Sequence, residues 1–299
     1  MQCGFVALVG PTNSGKSTLL NALVGQKLSI VSPLPQTTYH GVRGILNELS
    51  FQMVFTDTPG FQSHPDRVPR LLNQVADKNA KEADLLIWVF DASQANPLSQ
   101  VTRLEKKIAS FRPASHSICV LNKIDKIPKP ALLPLMQAIH DLNLFSAVIP
   151  ISARKGDGIE QLVNFVKPLI PEGVALYPTD KKTDRPINFL ISELIREKVY
   201  RLTYQELPYS IWIDIEETPG EEKEGKRVPD LRAVMHVDSE SRKAILIGKQ
   251  GAMLKEIGIA ARKDIEELLG HQICLKLHVK VQEQWKEDAN LLNRYLELQ

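Results

Sequence analysis

The chain has 299 residues, of which 43% are hydrophobic and 24% are charged. This length and apolar content predict about two domains, each with its own core. The formal net charge of +2 excludes a strongly basic or acidic protein, so any charged binding surface has to be local. The longest central apolar run, "LLIWVF", is far below the roughly 20 residues of a membrane-spanning helix, so we interpret it as a buried strand.

The amino-terminal sequence "MQCGFVALVG" has no basic segment of the kind that begins a secretory signal, which favours a cytoplasmic protein. The three cysteines, Cys3, Cys119 and Cys274, lie far apart and form no Cys-x-x-Cys pattern. We therefore expect reduced thiols, and we predict neither a zinc site nor a disulfide.

The first half of the chain alternates apolar runs with helix-like segments. The runs are "FVALVG", "FQMVFTD", "DLLIWVF", "SICVLN" and "AVIPIS", and each ends in a polar loop. Such runs are typical of buried parallel strands joined by crossover helices, which predicts a three-layer α/β domain. Ligands of such sheets bind at the carboxyl ends of the strands.

A proline-rich stretch, "PLIPEGVALYPTDKKTDRP" at residues 168–186, interrupts this alternation and is interpreted as a linker. We place the boundary near residue 175, which gives domains of residues 1–175 and 176–299. The second domain is predicted to contain a helix ("INFLISELIREKVYRLT"), two strands ("YSIWIDIEE" and "LRAVMHVDS"), a helical region at residues 252–269 and a last strand, "CLKLHVKV". The charged segment "TPGEEKEGKR" between the two strands predicts a hairpin.

The segment "GPTNSGKS" follows the first predicted strand and precedes the helical pattern "TLLNALVG". It fits G-x-x-x-x-G-K-[ST], a loop whose backbone N–H groups surround phosphates. In this pattern Lys16 reaches the β- and γ-phosphates and the Ser17 hydroxyl binds Mg²⁺. The predicted phosphate-binding residues are Gly10, Pro11, Thr12, Asn13, Ser14, Gly15, Lys16, Ser17 and Thr18.

The segment "NKID", which directly follows the strand "SICVL", indicates the base of the nucleotide. The Asp125 carboxylate can accept hydrogen bonds from the N1–H and N2–H₂ groups of guanine, and adenine offers no such pair of donors. ATP would leave this carboxylate unpaired, which disfavours an ATP-dependent enzyme. A further strand-end loop, "SARKGDG", is expected to direct Ser152 and the Ala153 N–H at the guanine O6. The predicted base-binding residues are Asn122, Lys123, Asp125, Ser152 and Ala153.

Four motifs in order, "GPTNSGKS", "DTPG", "NKID" and "SAR", resemble the signature of the translation-factor-related GTPases, and the first half of the chain resembles the Era family. The resemblance implies that Asp57 holds Mg²⁺ through water and that the Gly60 N–H senses the γ-phosphate. It also implies that Thr38 of "PQTTYHG" contacts Mg²⁺, with Thr37 as the alternative; Era-like sequences usually carry an arginine where this chain has Tyr39. The nucleotide-binding set then also includes Asp57, Thr58, Pro59, Gly60 and Phe61, and the predicted catalytic residues are Lys16, Thr38 and Gly60.

In Ras-like GTPases a glutamine directly after the Asp-x-x-Gly turn orients the attacking water. This chain has Phe61 there, and Gln62 comes one residue later. A class of GTPases resembling this one also has a hydrophobic residue at this place, and some of its members hold K⁺ partly through a P-loop asparagine, which Asn13 matches. We therefore expect slow, K⁺-enhanced GTP hydrolysis. Water positioning by Gln62, and an RNA-binding module with negligible turnover, remain alternatives.

The second half contains "ILIGKQGAMLKEIGIAARKDIEELLG", with a G-x-x-G pattern directly before an amphipathic helix. The glycines of such a turn let the backbone approach a nucleic-acid phosphate, as in KH domains. Residues 241–263 contain six basic residues and one acidic residue, whereas residues 180–299 contain 20 basic and 22 acidic residues. This favours a focused groove for single-stranded RNA. The predicted RNA-binding residues are Arg242, Lys243, Gly248, Lys249, Gln250, Gly251 and Lys255.

The order helix, strand, strand, helices, strand resembles a type II KH fold, and a GTPase followed by such a domain is the Era arrangement over essentially the whole chain. The predicted fold class is therefore α/β: a P-loop GTPase domain with a mostly parallel sheet, followed by a smaller α+β type II KH-like domain. The resemblance implies binding of small-subunit ribosomal RNA near its 3′ end and a role in small-subunit assembly. It also implies association with the inner face of the cell membrane, and we expect a monomer.

Overall fold

The computed structural model describes residues 1–31, 38, 41–61, 67–111, 116–203, 211–218, 222–223, 226–227 and 229–283. They form two compact units. The first unit takes its described residues from 1–29 and 38–184, and the second from 30–37 and 185–299. Within the described residues, no helix combines the length and apolar character that crossing a membrane requires.

The first unit is a six-stranded sheet with helices, in the strand order β2-β3-β1-β4-β5-β6. Its strands are β1 (Gln2–Val9), β2 (Val42–Glu48), β3 (Phe51–Asp57), β4 (Leu85–Asp91), β5 (His116–Asn122) and β6 (Val148–Pro150). Its helices are α1 (Lys16–Val24), α2 (Arg67–Lys81), α3 (Pro97–Phe111), α4 (Lys129–His140) and α5 (Ile159–Val166). All neighbouring strands are parallel except β2 and β3, which are antiparallel. The predicted α/β class is confirmed, and β2 is an additional strand.

The core of the first unit is centred on β3 and β4, in which every residue is buried. Alternate residues of β4, Leu86, Trp88 and Phe90, share one hydrophobic cluster with Val101 and Ile108 of α3. The two α3 residues are seven positions apart and therefore lie on one helical face. This packing fixes the carboxyl ends of β1, β3, β4 and β5 relative to one another, and these ends carry the predicted site.

The predicted linker is ordered along the edge of the first unit. The buried amide of Gln52 accepts hydrogen bonds from the N–H groups of Leu176 and Tyr177 at 2.7 and 3.0 Å. The N–H of Ile45 in β2 donates to the Lys182 carbonyl at 2.8 Å. Since these contacts attach the stretch to the sheet, the first unit extends to Asp184 and passes the boundary predicted at residue 175.

The described residues of the second unit form a three-stranded sheet, three α-helices and a short hairpin. Its elements are α6 (Ile187–Leu202), β7 (Ile211–Thr218), β8 (Glu222–Lys223), β9 (Lys226–Arg227), β10 (Asp230–Val237), α7 (Glu240–Ile247), α8 (Ala252–Leu269) and β11 (Cys274–Val281). The sheet order is β11-β10-β7, with β10 parallel to β11 and antiparallel to β7. The strands β8 and β9 pair as the predicted hairpin. This is the predicted α+β arrangement, with α7 as a separate helix before the G-x-x-G turn.

Candidate functional site

The P-loop connects β1 to α1, and two of its glycines are required by close contacts. A Cβ on Gly10, whose φ is 138°, would lie 2.4 Å from the Val89 carbonyl oxygen. A Cβ on Gly15, whose φ is 94°, would lie 2.2 Å from Nδ2 of Asn122. Both positions exclude an L side chain because of backbone conformation and space. The loop therefore packs directly against the ends of β4 and β5.

Lys16 begins α1 and is only 6% exposed. Its Nζ donates to the carbonyl oxygens of Pro11 at 2.7 Å and Gly10 at 3.3 Å. Burial penalises the charged ammonium and lowers the pKa of Lys16 to about 8, although the nearby Asp57 carboxylate opposes this shift. A polyanion placed against this side chain would raise its pKa again, so the position suits a nucleotide phosphate.

Three oxygen-bearing side chains converge beside Lys16. The hydroxyls of Ser17 and Thr38 lie 3.1 Å apart, and the Thr38 hydroxyl donates to Oδ2 of Asp57 at 3.2 Å. Oδ1 of Asp57 is buried without a hydrogen-bond partner among the described residues, and burial raises the pKa of this carboxyl. Mg²⁺ binds one or two carboxylates together with water and phosphate oxygens, so this oxygen set fits it. Elsewhere in the described residues, no group of three His, Cys, Asp or Glu side chains could hold a metal.

The "DTPG" turn follows β3 and lies against the P-loop. The Thr58 hydroxyl donates to the Leu8 carbonyl at 2.8 Å, which attaches the turn to β1. A Cβ on Gly60 would lie 2.6 Å from the backbone N and Cα of Thr12. Only glycine fits this close approach, so the Gly60 backbone is held beside the phosphate loop.

The base loops at the ends of β5 and β6 form one hydrogen-bond network. Nδ2 of Asn122 donates to the Ser14 carbonyl at 3.0 Å, and its Oδ1 accepts from the Ala153 N–H at 3.0 Å. The Ser152 hydroxyl donates to Asp125 at 2.7 Å, and this bond is the main cause that lowers the pKa of Asp125. The carboxylate is thus ionised at neutral pH and can accept two guanine hydrogen bonds.

The G-x-x-G turn of the second unit joins α7 to α8. Gly248 has a φ of 70°, and a Cβ there would lie 2.7 Å from Cβ of Met253. Gly251 has a φ of 79°, and no atom lies within 4 Å of the place of its Cβ. Lys249 and Gln250 between them are exposed, and so is Lys255 on the first turns of α8. The turn therefore presents bare backbone next to two lysines, as a phosphate-contacting loop requires.

Comparisons with known proteins cover both units. Family models match residues 5–123, described as "50S ribosome-binding GTPase", and residues 206–286, described as "KH domain". GTPase Era of Nitratidesulfovibrio vulgaris is 42% identical over 97% of this chain and 95% of its own length. The chain belongs to the Era GTPase family.

Two solved Era structures match the whole chain, each with 37% identity and a TM-score of 0.91. One is a variant of Aquifex aeolicus Era bound to GDP and AlF4⁻, and it covers 99% of both chains. The other is Era with MgGDPNP and nucleotides 1506–1542 of 16S ribosomal RNA, covering 99% of this chain and 98% of that one. As an Era GTPase the protein hydrolyses GTP, and its fold is a P-loop GTPase domain followed by a KH domain.

In this Era protein the Phe61 side chain packs into the core of the first unit. Its side chain is 9% exposed and stacks on Trp88 with ring centroids 5.8 Å apart. Its N–H donates to the Gly10 carbonyl at 3.0 Å. The ring therefore belongs to the core, where an aromatic side chain is stabilised by packing against Trp88. The predicted role of Phe61 in nucleotide binding stays a prediction.

Ser152 and Ala153 both form hydrogen bonds with residues of the "NKID" loop. Both were predicted to face the guanine O6, yet the Ser152 hydroxyl is bound to Asp125 and the Ala153 N–H to Asn122. They orient the two side chains of the "NKID" loop. Their predicted contact with the guanine O6 stays a prediction.

The positive charge near the G-x-x-G turn is smaller than the sequence count indicates. Arg242 forms an ion pair with Asp238, and Lys243 lies 3.5 Å from Glu240. Both acids lie just outside the stretch whose charge was counted. Arg262 pairs with Glu266, so among the described residues Lys249, Lys255 and Lys263 are the counted basic residues without an ion-pair partner, at the turn and along α8.

Asp91, at the end of β4, is a site residue that motif analysis missed. Its Oδ2 accepts from Nζ of Lys123 at 2.7 Å, and the same ammonium donates to the Asn13 carbonyl at 2.6 Å. Burial would raise the pKa of Asp91, but hydrogen bonds from Lys123, Ser93 and Gln94 outweigh it and lower the pKa. The available signal was its position, since polar residues at the carboxyl ends of parallel strands line ligand sites.

Three residues of the sequence analysis, Thr37, Tyr39 and Gln62, lie outside the described residues. Thr38 is described, and its hydroxyl contacts both Ser17 and Asp57. The assignment of Thr38 rather than Thr37 as the Mg²⁺-binding threonine stays a prediction, which the contacts of Thr38 support.

Proposed function

We propose that this Era-family protein is a GTP-dependent switch that binds small-subunit, 16S-type ribosomal RNA near its 3′ end and acts in small-subunit assembly. The observation that carries the proposal is the match of both units, at a TM-score of 0.91, to Era in complex with MgGDPNP and a 16S RNA fragment. The exposed Gly-Lys-Gln-Gly turn supports it, since this is where a KH domain contacts RNA.

The large-subunit alternative rests on the description of the family model for residues 5–123, which names the 50S ribosome. That model covers only the first unit, whereas the Era structure with 16S RNA covers the second unit as well. We therefore assign the small subunit. Competition between 3′-end fragments of 16S-type RNA and 23S-type fragments of equal length tests this choice, and preference for the latter would contradict it.

For GTP cleavage, we assign the catalytic roles to Lys16, Thr38 and Gly60. When bound, Mg²⁺ supplies charge neutralisation between the β- and γ-phosphates, and Ser17, Thr38 and Asp57 would hold it. The Lys16 ammonium stabilises negative charge on the transferred group, and the Gly60 N–H donates to it. Such preorganised donors act through position and electrostatics, which is the main source of catalysis in phosphoryl transfer.

We propose that a K⁺ ion, held partly by Asn13, replaces the missing glutamine. Asn13 has a φ of 58° and an exposed side chain, and its carbonyl is fixed by Lys123. Single-turnover cleavage is expected to be faster in K⁺ than in Na⁺, and Asn13→Ala should remove the difference. Equal rates in both salts would refute the K⁺ role, and near-complete loss of cleavage in Gln62→Ala would assign the water to Gln62.

Variants of the two residues between Gly248 and Gly251 test RNA binding at the G-x-x-G turn and leave both glycines in place. The double variant Lys249→Asp, Gln250→Asp places two carboxylates where a phosphate would approach, and Asp tolerates the positive φ of 53° at Gln250. We expect at least about 10-fold weaker binding of a single-stranded 3′-end RNA, measured by anisotropy at fixed salt. Lys263→Asp, about 18 Å further along α8, is the control; its charge change of −2 is smaller by one than that of the double variant. Equal loss in both variants would contradict a specific site.

The switch itself predicts that RNA affinity differs between the GTP-bound and GDP-bound protein. We also propose a cytoplasmic monomer that associates with the inner face of the cell membrane, where the membrane part rests on the family resemblance alone. Light scattering tests the monomer, and co-sedimentation with vesicles of bacterial lipid composition tests the association.

A further inference from the structure

Lys107 lies on α3, outside all nucleotide-binding motifs, and contacts two parts of the chain near the site. Its Nζ is 4.2 Å from the centroid of the Phe61 ring. The same ammonium is 2.8 and 3.0 Å from the two carboxylate oxygens of Asp77 on α2. One cation thus touches the residue after the "DTPG" turn and the helix that follows in the chain.

The distance of 4.2 Å is within the range of a cation–π interaction, which is strongest over the ring face. The Phe61 ring also stacks on Trp88 of β4 at an interplanar angle of 29°. The Phe61 ring is therefore contacted by Lys107 from α3 and by Trp88 from β4. The carboxylate of Asp77 binds the same ammonium, which favours the conformation of Lys107 that lies over the ring.

The Phe61 ring is linked to the Gly60 N–H through the backbone of a single residue, Gly60 itself. The two residues are adjacent, and the Phe61 N–H is already bound to Gly10 of the P-loop. Gly60 itself packs so closely on Thr12 that no Cβ fits between them. A displacement of Phe61 would move the Gly60–Phe61 peptide and, through the backbone of Gly60, shift the Gly60 N–H, and catalysis is sensitive to misplacement of about 1 Å.

We propose that Lys107 is a positioning residue for GTP hydrolysis: its ammonium, held by Asp77, keeps the Phe61 ring in the core and thereby fixes the Gly60 N–H beside the P-loop. This inference rests on the proposed role of Gly60. It adds a residue of α3 to the reaction, one that contacts neither nucleotide nor metal.

Lys107 and Asp77 are each about one third exposed. An ion pair this close to solvent contributes little to stability. Loss of the ammonium should therefore alter the cleavage rate far more than folding or nucleotide affinity. A purely structural role would show the opposite pattern, with lower thermal stability and an unchanged rate in the folded, GTP-loaded protein.

The test compares Lys107→Ala, Lys107→Arg and the control Lys106→Ala, which removes an exposed lysine from the same helix. Single-turnover GTP cleavage should slow about 5- to 20-fold in Lys107→Ala, while GDP dissociation stays within about 2-fold of wild type. Lys107→Arg keeps the cation over the ring and should recover most of the rate. Lys106→Ala should match wild type.

An unchanged cleavage rate in Lys107→Ala overturns the inference, and so does Lys107→Arg being as slow as Lys107→Ala. If Lys107→Ala does not fold, Asp77→Asn tests the inference instead. This variant keeps Lys107 but removes the charge of its ion-pair partner, and it should also slow GTP cleavage. Gly60→Ala separates the two proposals. Normal cleavage in Gly60→Ala overturns the assigned role of Gly60, whereas a slow Gly60→Ala with a normal Lys107→Ala overturns Lys107 alone.

Discussion

Replacing Phe61 with glutamine restores the residue that Ras-like GTPases use, and the structure predicts that it will not restore their mechanism. The Phe61 side chain is 9% exposed and packs on Trp88. A glutamine at this position would start from the same backbone and enter the same apolar space. It would not reach water at the γ-phosphate, so we expect no acceleration of GTP cleavage.

The cost to stability of Phe61→Gln follows from the contacts it removes. Losing the buried ring costs about 2 kcal/mol in transfer free energy, and losing its stack on Trp88 about 1 kcal/mol. A buried amide without full hydrogen bonding adds about 1 kcal/mol. The free energy of unfolding should fall by about 4 kcal/mol, a large part of the 5–15 kcal/mol that typical domains possess.

Urea denaturation of the GDP-bound protein measures this change, and single-turnover cleavage measures the rate. Phe61→Leu is the control, since it keeps an apolar side chain and should cost less than half as much. Cleavage at least about 10-fold faster in Phe61→Gln, with unchanged stability, would show that the side chain faces the phosphates and would refute this interpretation.

Three further predictions concern Lys16, Asp91 and Gln52. The pKa of about 8 at Lys16 means that phosphate binding takes up a proton above this pH, so GDP affinity of the nucleotide-free protein should fall about 10-fold from pH 7 to pH 9. Because this pKa lies below the unfolded value of 10.5, the unliganded protein should gain stability as pH rises between these values. Asp91→Asn removes the partner of the Lys123 ammonium and should speed GDP dissociation about 10-fold, as measured with a fluorescent GDP. Gln52→Ala leaves the backbone groups of Leu176 and Tyr177 unpaired and should lower the free energy of unfolding by about 2–3 kcal/mol in urea, with normal GDP affinity.

Each of these three predictions can be contradicted by a specific measurement. Calorimetry at pH 8.5 in two buffers of different ionisation enthalpy that shows no proton uptake would contradict the role of Lys16. The control for Asp91→Asn is Gln94→Ala, which removes a hydrogen bond from an uncharged donor to the same Asp91 oxygen. If both variants release GDP at the same rate, the charge of Asp91 does not control GDP dissociation. Unaltered stability of Gln52→Ala would mean that the 176–177 segment is not attached through this side chain.

The parallel strands could be predicted because burial on both faces leaves an unbroken apolar run. "LLIWVF" in β4 is such a run, and each of its residues is buried. The P-loop and "NKID" were recognisable because phosphate and guanine chemistry demand fixed residues at fixed spacing. The antiparallel strand β2 was not predicted from the sequence, because "VRGILNE" contains polar residues, as edge strands often do, and is not an unbroken apolar run.

Contacts between distant parts of the chain were not predictable from any local pattern. Asp91 and Lys123 are 32 positions apart and meet only because β4 and β5 are neighbours. The pairing of Arg242 with Asp238 is local, at a spacing of four residues, but the charge count began after the acid. The core packing of Phe61 on Trp88, 27 positions away, was likewise not predictable from its place after the "DTPG" motif.

The segment that runs along β2 also bears on how the first unit would behave alone. An open sheet ends in a strand with unpaired backbone groups, which invites edge-to-edge association with other molecules. Here Lys182 accepts from the Ile45 N–H, and the Thr183 hydroxyl donates to the Arg43 carbonyl at 2.6 Å. A fragment ending at residue 175 would leave these backbone groups of β2 unpaired and should aggregate. A fragment ending at Asp184 would keep residues 182–183, which pair with them, and should stay monomeric.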